Sequence, residues 1–178
     1  MEFQILKEKL SACILRFCLD QAKLLIIDVQ EQSITNALSK YLEVDFNELG
    51  LDINVDFNKR IVEDVYIKKQ LDFLVGELHH SKMRGGEFIN EAYYRKAVLP
   101  DIIFHDIKTS ANNFLVIEIK KSTNKNKQDR DFDILKLQVF TRDDLSYQFG
   151  AFIEFKTGEE YDEQAPFCIR YFINGVEM

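Results

Sequence analysis

Residues 98–121 read V-L-P-D-I-I-F-H (98–105), D-I-K-T-S-A-N-N (106–113) and F-L-V-I-E-I-K-K (114–121). Two runs of strand length, rich in Ile, Val and Phe and separated by Asp, Ser and Asn, predict a β-hairpin. The charges inside it are unusual. Asp101 stands early in the first strand, and Glu118 and Lys120 stand late in the second. Side chains alternate along a strand, so Glu118 and Lys120 are expected on one face together with Val116 and Phe114. Charges on a strand that a core is built around are costly unless they are paired or bind a metal. The hairpin is therefore where function is expected to concentrate.

Working outward, the chain of 178 residues is long enough for one domain with a sizeable core. Hydrophobic residues make up 46% and charged residues 30%, the balance of a globular domain. With only two prolines, Pro100 and Pro166, and seven glycines, a linker between domains is not expected. No apolar run approaches the length needed to cross a bilayer. A-C-I-L-R-F-C-L near the start is too short and too interrupted for a signal sequence, so the expected location is cytoplasmic. Cys13, Cys18 and Cys168 lack metal-ligand spacing; the first two fall on an apolar helical stripe and read as small hydrophobes. A formal net charge of −7 argues against binding nucleic acid over the whole surface, and a nucleic-acid enzyme with this balance would need a local basic patch.

Periodicity predicts a helix over about 2–20, with Phe3, Leu6, Leu10, Cys13, Ile14 and Phe17 on its inward stripe. The run L-L-I-I-D-V at 24–29 reads as a strand or an extended lead-in. A second helix follows over about 30–43, with Ile34, Ala37, Leu38, Tyr41 and Leu42 facing inward. Asp28 and Glu31 have the spacing of a capping box, and Glu31 also lies at the leading edge of the inward face. It serves either as a cap or as a carboxylate aimed at a site. D-I-N-V-D-F-N at 52–58 alternates as a half-buried strand. Ile67, Leu71, Leu74 and Leu78 then suggest an inserted helical segment over about 61–97, with an exposed loop at 79–86. The adjacent His79 and His80 would diverge from either a helix or a strand, which argues against a shared metal. After the hairpin, Lys121, Lys125, Lys127 and Arg130 fall in a polar loop, followed by a helix over about 131–141 and strands over 147–155 and 167–173. This order predicts a mixed α/β fold.

Asp101, Glu118 and Lys120 form a chemically coherent group. Two carboxylates on neighbouring strands can hold Mg²⁺, which prefers oxygen ligands and keeps several waters. Such an ion acidifies a bound water and offsets charge on a phosphoryl oxygen, while an adjacent ammonium stabilises charge developing at phosphorus. A salt bridge between Lys120 and Glu118, with Asp101 closing a turn, explains the same spacing.

Pro100-Asp101 followed by Glu118-Ile119-Lys120 resembles the P-D…(D/E)-x-K signature, and the chain is similar to members of the PD-(D/E)XK nuclease superfamily. The resemblance covers about 24–155 outside the insertion and includes D-V-Q-E-Q-S-I-T-N-A-L-S-K-Y-L and D-F-D-I-L-K-L-Q-V-F-T. It implies a restriction-endonuclease-like fold, a central mixed β-sheet flanked by helices, in a single domain spanning 1–178. It implies a nuclease that hydrolyses DNA phosphodiester bonds with Mg²⁺, for which Mn²⁺ substitutes. Asp101 and Glu118 would be metal ligands, with the Ile119 carbonyl as a third donor. Lys120 would be the catalytic lysine, and Glu31 an acidic residue near the metal. Lys121, Lys125, Lys127, Arg130 and Lys136 are the candidate contacts to nucleic acid. The chain carries no sequence-reading module, so any specificity would depend on loops, a homodimer or a partner protein. Its acidity also suits a second reading, a non-catalytic nuclease-fold module that binds or assembles in a nucleic-acid-related or defence complex.

Overall fold

The computed structural model describes residues 1–62, 65–108, 112–142 and 145–178, with backbone alone at 60–62, 65 and 66. Helix α1 (Phe3–Asp20) turns through the short α2 (Ala22–Ile26) into α3 (Glu31–Asp45). Strand β1 (Asp52–Val55) is followed by β2 (Lys59–Val62), β3 (Val65–Lys68), β4 (Gln70–Leu74), β5 (Gly86–Phe88) and β6 (Tyr93–Ala97). The predicted hairpin forms as β7 (Ile102–His105) and β8 (Leu115–Lys121), with 109–111 of its turn outside the described residues. Helix α4 (Lys127–Arg142), β9 (Phe149–Phe155), β10 (Phe167–Ile173) and β11 (Val176–Glu177) complete the chain.

Among the described residues, six strands form the main sheet in the order β1-β7-β8-β9-β10-β11. All its pairings are antiparallel except β8–β9, which α4 connects as a parallel crossover. The sheet is therefore mixed and carries helices on both faces. On one face, Leu6, Leu10, Ile14 and Phe17 of α1 and Ile34 and Leu38 of α3 pack on Ile102, Phe104, Ile117 and Ile119. On the other, Leu137, Val139 and Phe140 of α4 pack on Ile103, Val116 and Phe152. The alternation of β8 is thus real: odd positions meet α1 and α3, and even positions meet α4. Phe114 precedes the strand and joins the α1–α3 cluster, so the face expected for Glu118 begins at Val116 instead.

Several local expectations are corrected. Residues 22–26 are helical, because Leu24 and Leu25 close a turn off the end of α1 and only Leu25 is buried. Among the described residues, the segment over 61–97 holds no α-helix: apart from a 3-10 turn at His80–Lys82 it forms strands, with β2 paired to β3 and β4-β6-β5 in a small sheet. Leu71 and Phe73 are buried while Gln70 and Asp72 are not, a period of two that the wider spacing of Ile67, Leu71, Leu74 and Leu78 conceals. Gly85 turns at φ +73, and a Cβ on Gly86 would run into the Arg95 carbonyl and the Tyr94 ring, so this Gly-Gly pair opens β5. Finally, α4 begins at Lys127, with Lys127 and Arg130 in its first turn. The Asn126 side chain receives the Asp129 N–H, an N-terminal closure that the polar run disguised as loop. No described helix is long and apolar enough to cross a membrane.

Candidate functional site

The β7–β8 register pairs Ile102 with Ile117 and Ile103 with Val116, and one step further it sets Asp101 opposite Glu118. Both carboxylates belong to the face covered by α4. Asp101 stands just before the first residue of β7, where its Oδ2 accepts the Ile119 N–H at 2.6 Å. The carboxylate thus substitutes for a ladder partner and is locked against β8. Burial raises the Asp101 pKa, against the opposing pull of that N–H and of Lys136 and Lys120.

Glu118 is 1% exposed. Its Oε2 receives the Lys136 ammonium at 2.8 Å, while Oε1 is buried without a hydrogen-bond partner. Burial pushes its pKa well above the ordinary carboxylate range; Lys136 opposes that rise, and Asp101 and Asp133 add to it. Lys136 also reaches Asp133 Oδ1 at 2.8 Å. Asp133 Oδ2 lies 2.7 Å from the Lys120 ammonium, and Lys120 lies 3.5 Å from Glu31 Oε2. The result is an alternating chain of ions, Glu31–Lys120–Asp133–Lys136–Glu118, with Asp101 beside its last member. Burial alone would lower both lysines, but the carboxylates around them outweigh it and hold Lys120 and Lys136 above the usual ammonium range.

Glu31 comes from the opposite helical layer. Gln30 is the residue before α3 and makes no side-chain cap, so Glu31 is not the partner of a capping box. Asp28 instead adopts φ 55, and its carboxylate meets the Lys121 ammonium at 3.0 Å and the Thr123 hydroxyl at 3.0 Å. Glu31 Oε1 accepts the Lys121 N–H and the Asn124 side-chain amide, both at 3.1 Å. It therefore fastens the C-terminal end of β8, and its second oxygen faces Lys120.

The structure brings together Asp101, Glu118, Lys120, Glu31 and Lys136. Of the other candidate nucleic-acid contacts, Lys125 pairs with Glu160 and Arg130 pairs with Glu154. The acidic stretch after β9 thus neutralises part of the basic loop instead of lying apart from it. Lys127 stands at the start of α4. His79 is tied to Ser81 and Gln128, away from the carboxylates.

Sequence reasoning missed Asp133. Its signal was present: Asp133, Lys136 and Phe140 recur at i, i+3 and i+7, so the stripe that buries Phe140 also turns two opposite charges inward. Lys69 was missed as well. It is 1% exposed, donates to the Tyr147 hydroxyl at 2.7 Å, and burial lowers its pKa to about 7. A cleft of about 670 Å³ lined by Asp72, Tyr93, Arg95 and Arg142 lies elsewhere and includes none of the predicted site residues.

Among the described residues, no three His, Cys, Asp or Glu side chains converge as a ready-made metal cage. Mg²⁺ does not require one, since it binds through one or two carboxylates and retains waters. The donors around Glu118 suit such an ion in two respects, the opposed carboxylates and one buried oxygen lacking a partner, while the neighbouring Ile119 carbonyl accepts the Lys120 ammonium at 3.2 Å. Compared with known protein families, curated proteins and solved structures, the chain matches none.

Proposed function

We propose that the chain is a metal-dependent nuclease of restriction-endonuclease-like fold that hydrolyses DNA phosphodiester bonds, with its active site at the meeting of β7, β8, α3 and α4. One observation carries the reading. A buried glutamate, Glu118, stands opposite Asp101 with one oxygen unpartnered, on the strand that also presents Lys120. An apolar residue would fill that position at lower cost, because desolvating a carboxylate is expensive even when a lysine pairs with it.

Asp101 and Glu118 would hold Mg²⁺ or Mn²⁺, with the Ile119 carbonyl as third donor. The ion, when bound, would acidify a water and offset charge on a phosphoryl oxygen. Lys120 contributes an ammonium whose protonation its neighbours secure, suited to stabilising charge at phosphorus or orienting the attacking water. Glu31 and Asp133 are positioning residues: they hold that ammonium from two elements and limit the rotamers open to it. Asp101 is held by the Ile119 N–H, so its second oxygen is presented with little freedom.

Incubation with plasmid, linear and single-stranded DNA in Mg²⁺ or Mn²⁺ tests the reading. Wild type is expected to cleave, and Lys120→Ala to lose at least 100-fold, roughly the scale of one electrostatic donor. Equal rates in the two proteins would assign the activity to another site or a contaminant.

A second reading has its own observation. Lys136 already neutralises Glu118 and Asp133, as a fixed ammonium would in a module that holds its shape without metal. Such a module would bind or assemble without cutting. Calorimetry separates the two: a competent site gives a Mn²⁺ binding signal that Asp101→Ala abolishes, whereas the module gives none at Asp101.

A further inference from the structure

Three lysines converge on one ring. The ammonium groups of Lys82, Lys96 and Lys136 lie 5.5, 5.2 and 5.7 Å from the centroid of Phe132. They arrive from separate elements: Lys82 from the turn after β4, Lys96 from β6, and Lys136 from α4. Lys136 is neutralised by Glu118 and Asp133, and Lys82 pairs with Asp129. Lys96 differs from both. It donates to the Lys82 carbonyl at 2.7 Å, and no carboxylate among the described residues pairs with it. The ring face attracts each cation, but it does not supply Lys96 with the counter-charge that its two neighbours have.

Burial and the charges of Lys82 and Lys136 together push the Lys96 ammonium down, as expected of a cation placed where an anion is missing. Lys96 is half-buried, and a groove of about 60 Å³ opens on the Lys82 side of the Phe132 ring, with Glu77 and Asp131 also on its wall. Lys136 joins the two sets of charges, since the ammonium that faces Phe132 also holds Glu118.

We propose that Lys82 and Lys96, presented by the β4–β6 segment, form with Lys136 a phosphate subsite that seats a backbone phosphate of a nucleic-acid strand beside Asp101 and Glu118. The choice of ligand rests on the nuclease reading; the convergence of the three lysines does not. The subsite gives the β4–β6 sheet a task. It brings cations to a carboxylate edge that would otherwise repel a polyanion, in a chain whose basic loop is largely paired with its own acids.

Lys96→Met tests this, because the substitution keeps the apolar stem on Phe132 and removes the charge. A short fluorescein-labelled DNA single strand is titrated into the full-length chain with Ca²⁺ over a range of KCl concentrations, and Mn²⁺ binding is measured separately by calorimetry. Lys96→Met is expected to weaken strand binding about three- to tenfold and to reduce the slope of log K against log salt by about 0.7, with Mn²⁺ affinity and Tm preserved. Equal affinity and equal slope in the two proteins would overturn the subsite while leaving the metal reading intact. A Lys96 effect in a protein that binds no Mn²⁺ would support the subsite and sink the metal reading. Stabilisation of wild type, but not of Lys96→Met, by inorganic phosphate without any strand binding would overturn the nucleic-acid ligand.

Discussion

Replacing Lys136 with Met examines the ion chain most directly. Lys136 is 7% exposed and Glu118 1%, so removal of the ammonium leaves Glu118 with neither water nor a partner, and Asp133 with Lys120 alone. Breaking one side of a buried pair costs about 3–5 kcal/mol, because the remaining charge keeps its desolvation penalty. At about 2–4 °C per kcal/mol for a chain of this size, Tm should fall by about 6–20 °C. Proton uptake by Glu118 limits the loss, so the deficit should narrow as pH falls. Urea unfolding at pH 7, with the m value checked for constancy, gives the free energy. The double variant Glu118→Gln/Lys136→Met should recover most of the deficit, since both ions are then absent, and the coupling between the two sites should exceed about 2 kcal/mol. A loss below about 1 kcal/mol in the single variant is the behaviour of an exposed pair and would refute the buried network.

Other consequences follow from the same chemistry. Lys69 titrates near 7 when folded and near 10.5 when unfolded, so wild-type stability rises with pH across that window; the advantage of Lys69→Met should be largest below pH 7 and shrink toward pH 10 in chemical denaturation. His105 is held down to about 4, primarily by burial, while its Nε2 meets Asn54 Oδ1 at 2.8 Å. The folded state therefore binds fewer protons than the unfolded one between about pH 4 and 6.5, and wild type loses stability as pH falls through that range; His105→Phe should flatten the slope, a difference on the order of 3 kcal/mol across the window. Cys13 and Cys18 are buried and pushed up to about 12, whereas Cys168 is exposed, so native-state alkylation followed by mass spectrometry should label Cys168 alone and reach all three thiols only after unfolding. Asp101→Ala leaves the Ile119 N–H without its acceptor and should cost about 1–3 kcal/mol in urea unfolding.

The hairpin, the flanking helices and the final strands were legible because each carries one strong period. Ile102, Phe104, Ile117 and Ile119 alternate with Ile103 and Val116, and each set found a helical layer to cover it. The 61–97 segment misled because its apolar residues also recur at intervals of three and four, and in a small sheet only Leu71, Phe73 and Tyr94 needed burial. Tertiary packing, not local spacing, decided between the two periods. Within the site, Asp101, Glu118 and Lys120 stood out because charge is expensive on a central strand. Asp133 did not, and Lys136 was read only as a contact to nucleic acid, since charge on a helix is ordinary until the helix is known to be covered on that side. The contact of Glu31 with Lys120 joins residues far apart in the chain, and no local pattern encodes it.

The Asp56 N–H donates to the Asp101 carbonyl at 3.1 Å, so the chain returns from β2–β6 to the point where it departed from β1. That excursion is a detour with adjoining ends. Closing a longer or shorter flexible excursion differs by only about 0.6 kcal/mol per doubling of its length. Its exposed turns, such as 89–92, can therefore lengthen while β1 and β7 stay zipped, whereas Leu71, Phe73 and Tyr94 are held by their packing with α4. The carboxylates and Lys120 are positioned by the geometry of the main sheet, whereas Lys82 and Lys96 ride on the detour. Under the proposed reading, the exposed turns of the detour could be retuned independently of the carboxylate pair, and a designer could vary them while keeping Leu71, Phe73 and Tyr94.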